Sequence, residues 1–221
     1  MKHTEREMMQ MREQVNEMWK LVISQLEKAK QAFFSNDTDI AREVISREKR
    51  VNAFELKIDS DCENYIALYS PVAIDLRLAL SLIKISNTLE RIGDFAAGIA
   101  RHITDGDCND TEESLIEELQ IEKMFDTLLG MLLDGFVALE SENTKISGKI
   151  IGKDEEVDEI YFNALDVLAQ YIEKHPSFSH CGLKIYLLIR KLERIGDHCS
   201  NIVEEIVFYV DAKVLKHVNK S

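Results

Sequence analysis

Glu90-Arg91-Ile92-Gly93-Asp94 returns as Glu193-Arg194-Ile195-Gly196-Asp197, 103 residues further along a chain of 221. Five identical residues can recur by chance, so the flanking sequence has to repeat as well, and it does. Pro71 lies 19 residues before the first copy and Pro176 lies 17 before the second. Further upstream, Thr38, Ile40, Val44, Ile45, Glu48 and Val51 line up with Thr144, Ile146, Ile150, Ile151, Asp154 and Val157 at an offset of 106. The chain reads as two repeats, 1–105 and 111–221, joined by Asp105-Gly-Asp-Cys-Asn-Asp-Thr111, a stretch of turn formers and helix caps.

Periodicity around the motif sets the fold class. Leu78, Leu82, Ile85, Leu89, Ile92, Ala96 and Ile99 advance by alternating fours and threes. Cys181, Ile185, Leu188, Leu192, Ile195, Cys199, Ile202 and Ile206 keep the same alternation. Such heptad seams belong to up-and-down helical bundles. Met8, Met11, Val15, Met18 and Val22 predict a first helix running to the cap signal Ser35-Asn-Asp-Thr38. Val44, Val51, Phe54, Ile58, Cys62 and Tyr65 predict a second that ends near Ser70-Pro71, where proline cannot continue it. The expectation is an all-α protein: two tandem three-helix bundles, six long helices of roughly 45 Å each at about 30 residues.

Composition agrees. Two prolines and nine glycines are too few to punctuate an all-β fold, and 45% hydrophobic with 30% charged residues is a globular balance. A net charge of −13 excludes the basic footprint of a general nucleic-acid binder. The charged N-terminus lacks the apolar core of a signal peptide, and no 18-residue stretch is free of charge. Cys62, Cys108, Cys181 and Cys199 form no C-x-x-C pair, which points to reduced thiols in a cytoplasmic setting.

Chemistry gathers in carboxylates beside the seam. If Leu89 and Ile92 face the core, Glu90 and Asp94 share a different stripe, and Glu193 and Asp197 repeat it. The middle helix adds Glu48, Asn52, Glu55 and Asp59; in the second repeat Asp154 and Asp158 keep the first two places, while Tyr161 and Leu165 take the others. Stacked like charges repel by roughly 0.2–0.5 kcal/mol per i,i+4 pair, and a cation between helices turns that repulsion into coordination. Oxygen ligands without cysteine suit Mg²⁺, Mn²⁺, Ca²⁺ or iron better than zinc. The alternatives are solvated acidic faces, or neutralisation by Arg91 and Arg194. Counting five carboxylates in the first repeat against four in the second predicts tighter cation binding in the first. Gly93 and Gly196 each cost up to about 1 kcal/mol in a helix, which calls for close approach by a neighbouring helix or a ligand. His198 reads as a partly buried histidine rather than a ligand, and Trp19 with Met8, Met9, Met11 and Met18 as packing or interface.

No P-loop, nucleophile elbow or H-E-x-x-H is present, and none of the six histidines has a glutamate three residues before it, as a ferritin-like di-iron enzyme requires. A non-enzymatic protein is expected.

At these residues the chain resembles the PhoU family of bacterial phosphate-uptake regulators. The matching strings are Glu48-x-x-Val51-Asn52-x-x-Glu55, Ser70-Pro71-x-x-x-Asp75-Leu76-Arg77, Leu89-Glu-Arg-Ile-Gly-Asp94, Asp154-x-x-Val157-Asp158-x-x-Tyr161 and Leu192-Glu-Arg-Ile-Gly-Asp-His198. The resemblance implies a cytoplasmic, often homodimeric negative regulator of phosphate homeostasis that binds a phosphate ABC-transporter ATPase and a sensor histidine kinase. It implies iron or zinc clusters on the acidic faces, with Glu48, Glu55, Asp59, Glu90 and Asp94, then Asp154, Asp158, Glu193 and Asp197, as ligands. Neither nucleic acid nor membrane insertion is expected. Glu48 stands where the family often has Asp, and the segment after Pro176 lacks the D-L-R string. An accessory of another anion transporter and a metal-carboxylate enzyme are the competing readings.

Overall fold

The computed structural model of the protein describes residues 3–106, 108 and 111–214; of the expected linker, Asp107, Asn109 and Asp110 lie outside the described residues. Six long helices form: α1 (His3–Ser35), α2 (Thr38–Tyr69), α3 (Ala73–Asp105), α5 (Ile121–Ser141), α6 (Ser147–Lys174) and α7 (Ser179–Asp211). A short α4 (Glu113–Glu118) precedes α5. The helices α1–α3 make one bundle and α5–α7 the other.

Local chemistry explains the boundaries. Asp37 caps α2, its carboxylate accepting from the Asp39 and Ile40 amides at 2.8 and 3.0 Å. Ser70 closes α2 in the left-handed region, and Pro71 follows. The second repeat departs from the first at its start. Gln120 adopts a left-handed backbone (φ 51°), which breaks α4 from α5, so α5 has 21 residues where α1 has 33. The seams are buried as expected, except that Cys181 is only half-buried.

The bundles share one hydrophobic core that runs through both repeats. Two antiparallel contacts join them. Along α3 and α7, Arg77 Nε donates to the Tyr209 carbonyl at 3.2 Å, Ser81 Oγ to the Glu205 carbonyl at 3.3 Å, and Phe95 stacks on His198 at 5.7 Å. Along α1 and α5, Arg12 meets Glu142, Asn16 meets Glu140, and Lys30 meets Asp126. Trp19 is the centre of this second contact. It is buried, its Nε1–H donates to the Leu132 carbonyl at 3.0 Å, and a Cβ at Gly135 would lie 3.1 Å from its ring. Truncating it opens a cavity and orphans a carbonyl between the repeats. Trp19→Ala is expected to cost about 3–5 kcal/mol, read as a lower urea midpoint with an unchanged slope.

Candidate functional site

The motif glycines mark close helix approach. A Cβ on Gly93 would meet Gln25 Oε1 at 3.2 Å and Val51 Cγ1 at 3.3 Å; on Gly196 it would meet Asp154 Oδ1 at 2.7 Å. In the second repeat the missing methyl is therefore what lets a carboxylate of α6 approach α7.

Around Gly196 the acidic rows converge. Among the described residues, one group of metal-ligating side chains brings three ligand atoms within 4.8 Å of one another: Asp154, Asp158 and Asp197. Asp154 is buried at 7% exposure and Asp158 nearly so at 9%. Glu193, one turn before Asp197, feels all three. Burial first, then the charges of Asp197, Asp158 and Asp154, push its carboxyl up to about 7, against a smaller opposing pull from Arg194. Arg194 donates to Asp197 at 3.2 Å, and so neutralises one member of the group from its exposed edge.

The first repeat arranges its acids differently. Glu48, the counterpart of Asp154, is ion-paired with Arg101 of α3. Asp59 accepts from Asn87 Nδ2 at 3.3 Å and lies 3.5 Å from Ser86 Oγ. Glu55, Glu90 and Asp94 remain, with Glu90 raised by burial and then by Asp94, Arg91 opposing, and Glu55 adding to the rise. Glu55 is raised by burial and by Asp59. Arg91 Nε lies 3.8 Å from Glu90. Convergence is thus found in the repeat with four candidates rather than the one with five. The reason is visible in the repeat itself: Arg101 corresponds to Glu204, and Asn52 to Asp158. One repeat supplies an internal cation and a neutral amide where the other supplies two more acids. Counting carboxylates missed this because the arginine lies seven residues beyond the motif.

The donor set of the second repeat fits a hard cation: three carboxylates, buried on one side, with a cradle that a Cβ at Gly196 would fill. His198 points elsewhere. It stacks on Phe95, and burial followed by Arg194 lowers its pKa, with Asp197 opposing. Tyr161 and Tyr186, at the edge of the site, stack at 5.5 Å with their hydroxyls 3.0 Å apart.

Glu193 gives a pH signature. Below about pH 4.5 its carboxyl is protonated in the folded and unfolded chain alike and costs nothing; as pH rises through about 7 the folded protein must ionise it beside three other acids. The cost is fully present above that pH. Discounted for the half of the group that water reaches, it is about 1–2 kcal/mol. In chelator, Glu193→Gln is expected to raise the melting temperature at pH 8 and to leave it unchanged at pH 4.5. An equal shift at both values contradicts the assignment.

The PhoU domain family matches residues 15–103 and 121–206, one copy in each bundle. A phosphate-specific transport system accessory protein PhoU from Edwardsiella tarda is 33% identical over 207 residues, 94% of this chain and 84% of that protein. The corresponding protein of Escherichia coli K12 is 32% identical over 96% of this chain and 87% of its own length. Among solved structures, PhoU from Pseudomonas aeruginosa superposes with a TM-score of 0.86 at 28% identity, over 95% of this chain and 99% of that one. The phosphate transport system regulatory protein PhoU from Streptococcus pneumoniae superposes with a TM-score of 0.83 at 25% identity, over 97% and 100%. Two matched domains, near-complete coverage and a common helical architecture give one conclusion: this chain belongs to the PhoU family.

Proposed function

We propose that this protein is an accessory regulator of phosphate transport that restrains uptake and phosphate-starvation genes by binding the ATPase of a phosphate ABC transporter and its sensor histidine kinase. The observation that carries this reading is the family match in both repeats, with relatives named as accessory and regulatory proteins of phosphate-specific transport. The role is regulatory rather than catalytic, and the working form is a cytoplasmic homodimer. No helix among the described residues is long and apolar enough to cross a membrane, so contact with the transporter falls to surfaces of the bundles.

Asp154, Asp158 and Asp197, with Glu193 beside them, would hold a divalent or ferric ion: iron or zinc as in the family, or manganese or magnesium from the oxygen donors alone. Such an ion would neutralise the clustered carboxylates and tie α6 to α7, so that metal loading stiffens the second bundle. Glu55, Glu90 and Asp94 offer a weaker set. Asn52, on the same stripe, has a buried side-chain oxygen with no hydrogen-bond donor, which an ion there would satisfy.

Two measurements test this. Pull-down from cells grown in high phosphate is expected to recover the transporter ATPase or the kinase, and gene deletion to derepress starvation genes; recovery of neither, with repression intact, overturns the regulatory reading. Metal titration is expected to show at least tenfold weaker binding in Asp154→Asn/Asp197→Asn than in Glu90→Gln/Asp94→Asn, a difference of about 1.4 kcal/mol. The reverse order assigns the tighter site to the first repeat.

A further inference from the structure

The outer face of α6 and α7 carries an apolar patch. Phe162 and Leu165 of α6 are 69% and 54% exposed, and Leu183 and Leu187 of α7 are 64% and 52% exposed. Tyr161 and Tyr186 join the two pairs: ring centroids are 5.4 Å apart from Phe162 to Tyr161 and 5.5 Å from Tyr161 to Tyr186. The helices run antiparallel, so Leu165, one turn after Tyr161, and Leu183, one turn before Tyr186, lie on the same side of that stacked contact. Together the side chains expose on the order of 400 Å² of apolar surface, the size of the largest patch on a typical monomer and one that often marks a binding site.

Carboxylates edge this patch. Glu155, Glu159, Phe162 and Asp166 follow one another by 4, 3 and 4 residues, which puts them on one stripe of α6. The three acids are exposed, and among the described residues none of them is ion-paired, although Glu156 beside them meets Lys123 at 2.7 Å. The first repeat shows that the bundle itself needs neither feature. At the offset of 106, Glu155, Glu159, Phe162 and Asp166 correspond to Lys49, Ala53, Leu56 and Ser60, and Leu165 to Asp59; at the offset of 103, Leu187 corresponds to Lys84. The same framework thus has no acid on that stripe of α2, and it has charges where the second repeat has two of its exposed leucines.

We propose that this face docks a basic amphipathic helix of a partner protein. The apolar side of that helix lies along α6 and α7 on Phe162, Leu165, Leu183 and Leu187, and its lysines or arginines meet Glu155, Glu159 and Asp166. A helix bound in this way anchors through apolar residues one turn apart, and two neighbouring helices that each present apolar side chains one turn apart receive that spacing. Charge selects the occupant. A second copy of the chain brings a further net charge of −13, and an anionic membrane surface is repelled by the three unpaired acids. The inference goes beyond the regulatory reading and does not depend on it: it holds for whichever protein supplies the helix, and either can fail alone.

The test is fluorescence anisotropy of a labelled peptide titrated with the full chain. The peptide has about 18 residues, with leucine at helical spacing and lysine elsewhere. Saturable binding is expected, at least about tenfold tighter than for the same peptide with glutamate in place of lysine, or with a central proline that breaks the helix. Glu159→Lys/Asp166→Lys is expected to weaken binding at least about tenfold, and Leu183→Ser/Leu187→Ser roughly five- to tenfold. Glu13→Lys/Glu17→Lys, the same charge change on α1, is expected to alter it less than about twofold. All these positions are exposed, so folding is retained. No saturable binding, equal affinity for the glutamate or proline peptide, or equal weakening by the α1 pair overturns the proposal. So does a dimer of the free protein that Leu183→Ser/Leu187→Ser dissociates, which makes a second copy the occupant of this face.

Discussion

The antiparallel contact of α3 with α7 is the constraint on which the rest of the molecule hangs. Each of these helices already buries a heptad seam inside its own bundle, and each must bury a second face against the other. On α3 that second face carries Arg77, Ser81, Lys84 and Phe95, all of which meet α7, while Ser86 and Gly93 lie on the side turned to α2. Ser81, small and fully buried, reaches the Glu205 carbonyl of α7 directly, and Arg77 reaches that of Tyr209 one turn away. The same contact places Phe95 on His198 and leaves room at Gly98 for the Lys191 chain, whose carbon atoms would stand 3.1 Å from an added Cβ. Fully burying a leucine or isoleucine contributes roughly 1.5–3 kcal/mol, so a core continuous across the repeats ties the stability of one bundle to the other.

Much of this was legible in the sequence, for a physical reason. Helix seams repeat every seven residues and the motif glycines break a strong propensity, so both leave marks that survive without any structure. Leu78 through Ile99, and Ile185 through Ile206, were readable as buried faces and are buried. What stayed hidden were contacts between the repeats, because residues such as Arg12 and Glu142 are separated by 130 positions and carry no local periodicity. The break at Gln120 was hidden too: a left-handed glutamine has no sequence signature comparable to glycine.

The acidic site was legible in its members but not in its assembly. All nine carboxylates singled out lie on the expected helices, yet among the described residues only Asp154, Asp158 and Asp197 bring three ligand atoms within 4.8 Å of one another. Convergence is decided by a cation that belongs to no motif. Arg101 captures Glu48 on one side, and at the equivalent place the other repeat has Glu204. A pattern of acids tells where charge accumulates; it does not tell which charge is already answered.

That distinction organises both halves of the molecule. The two repeats share one acidic pattern, and the chain provides its neutralising groups unevenly. The first repeat carries Arg12, which closes the C-terminal end of α5 in the second repeat, and Arg101, which pairs with Glu48 in its own acidic row. The second carries Glu118 and Glu204 at the matching positions. In its acidic row burial and the charges of Asp197, Asp158 and Asp154 raise the pKa of Glu193. Charge reversal at a few repeat-equivalent positions thus separates a row whose acid is answered within its own bundle from one whose acids crowd one another.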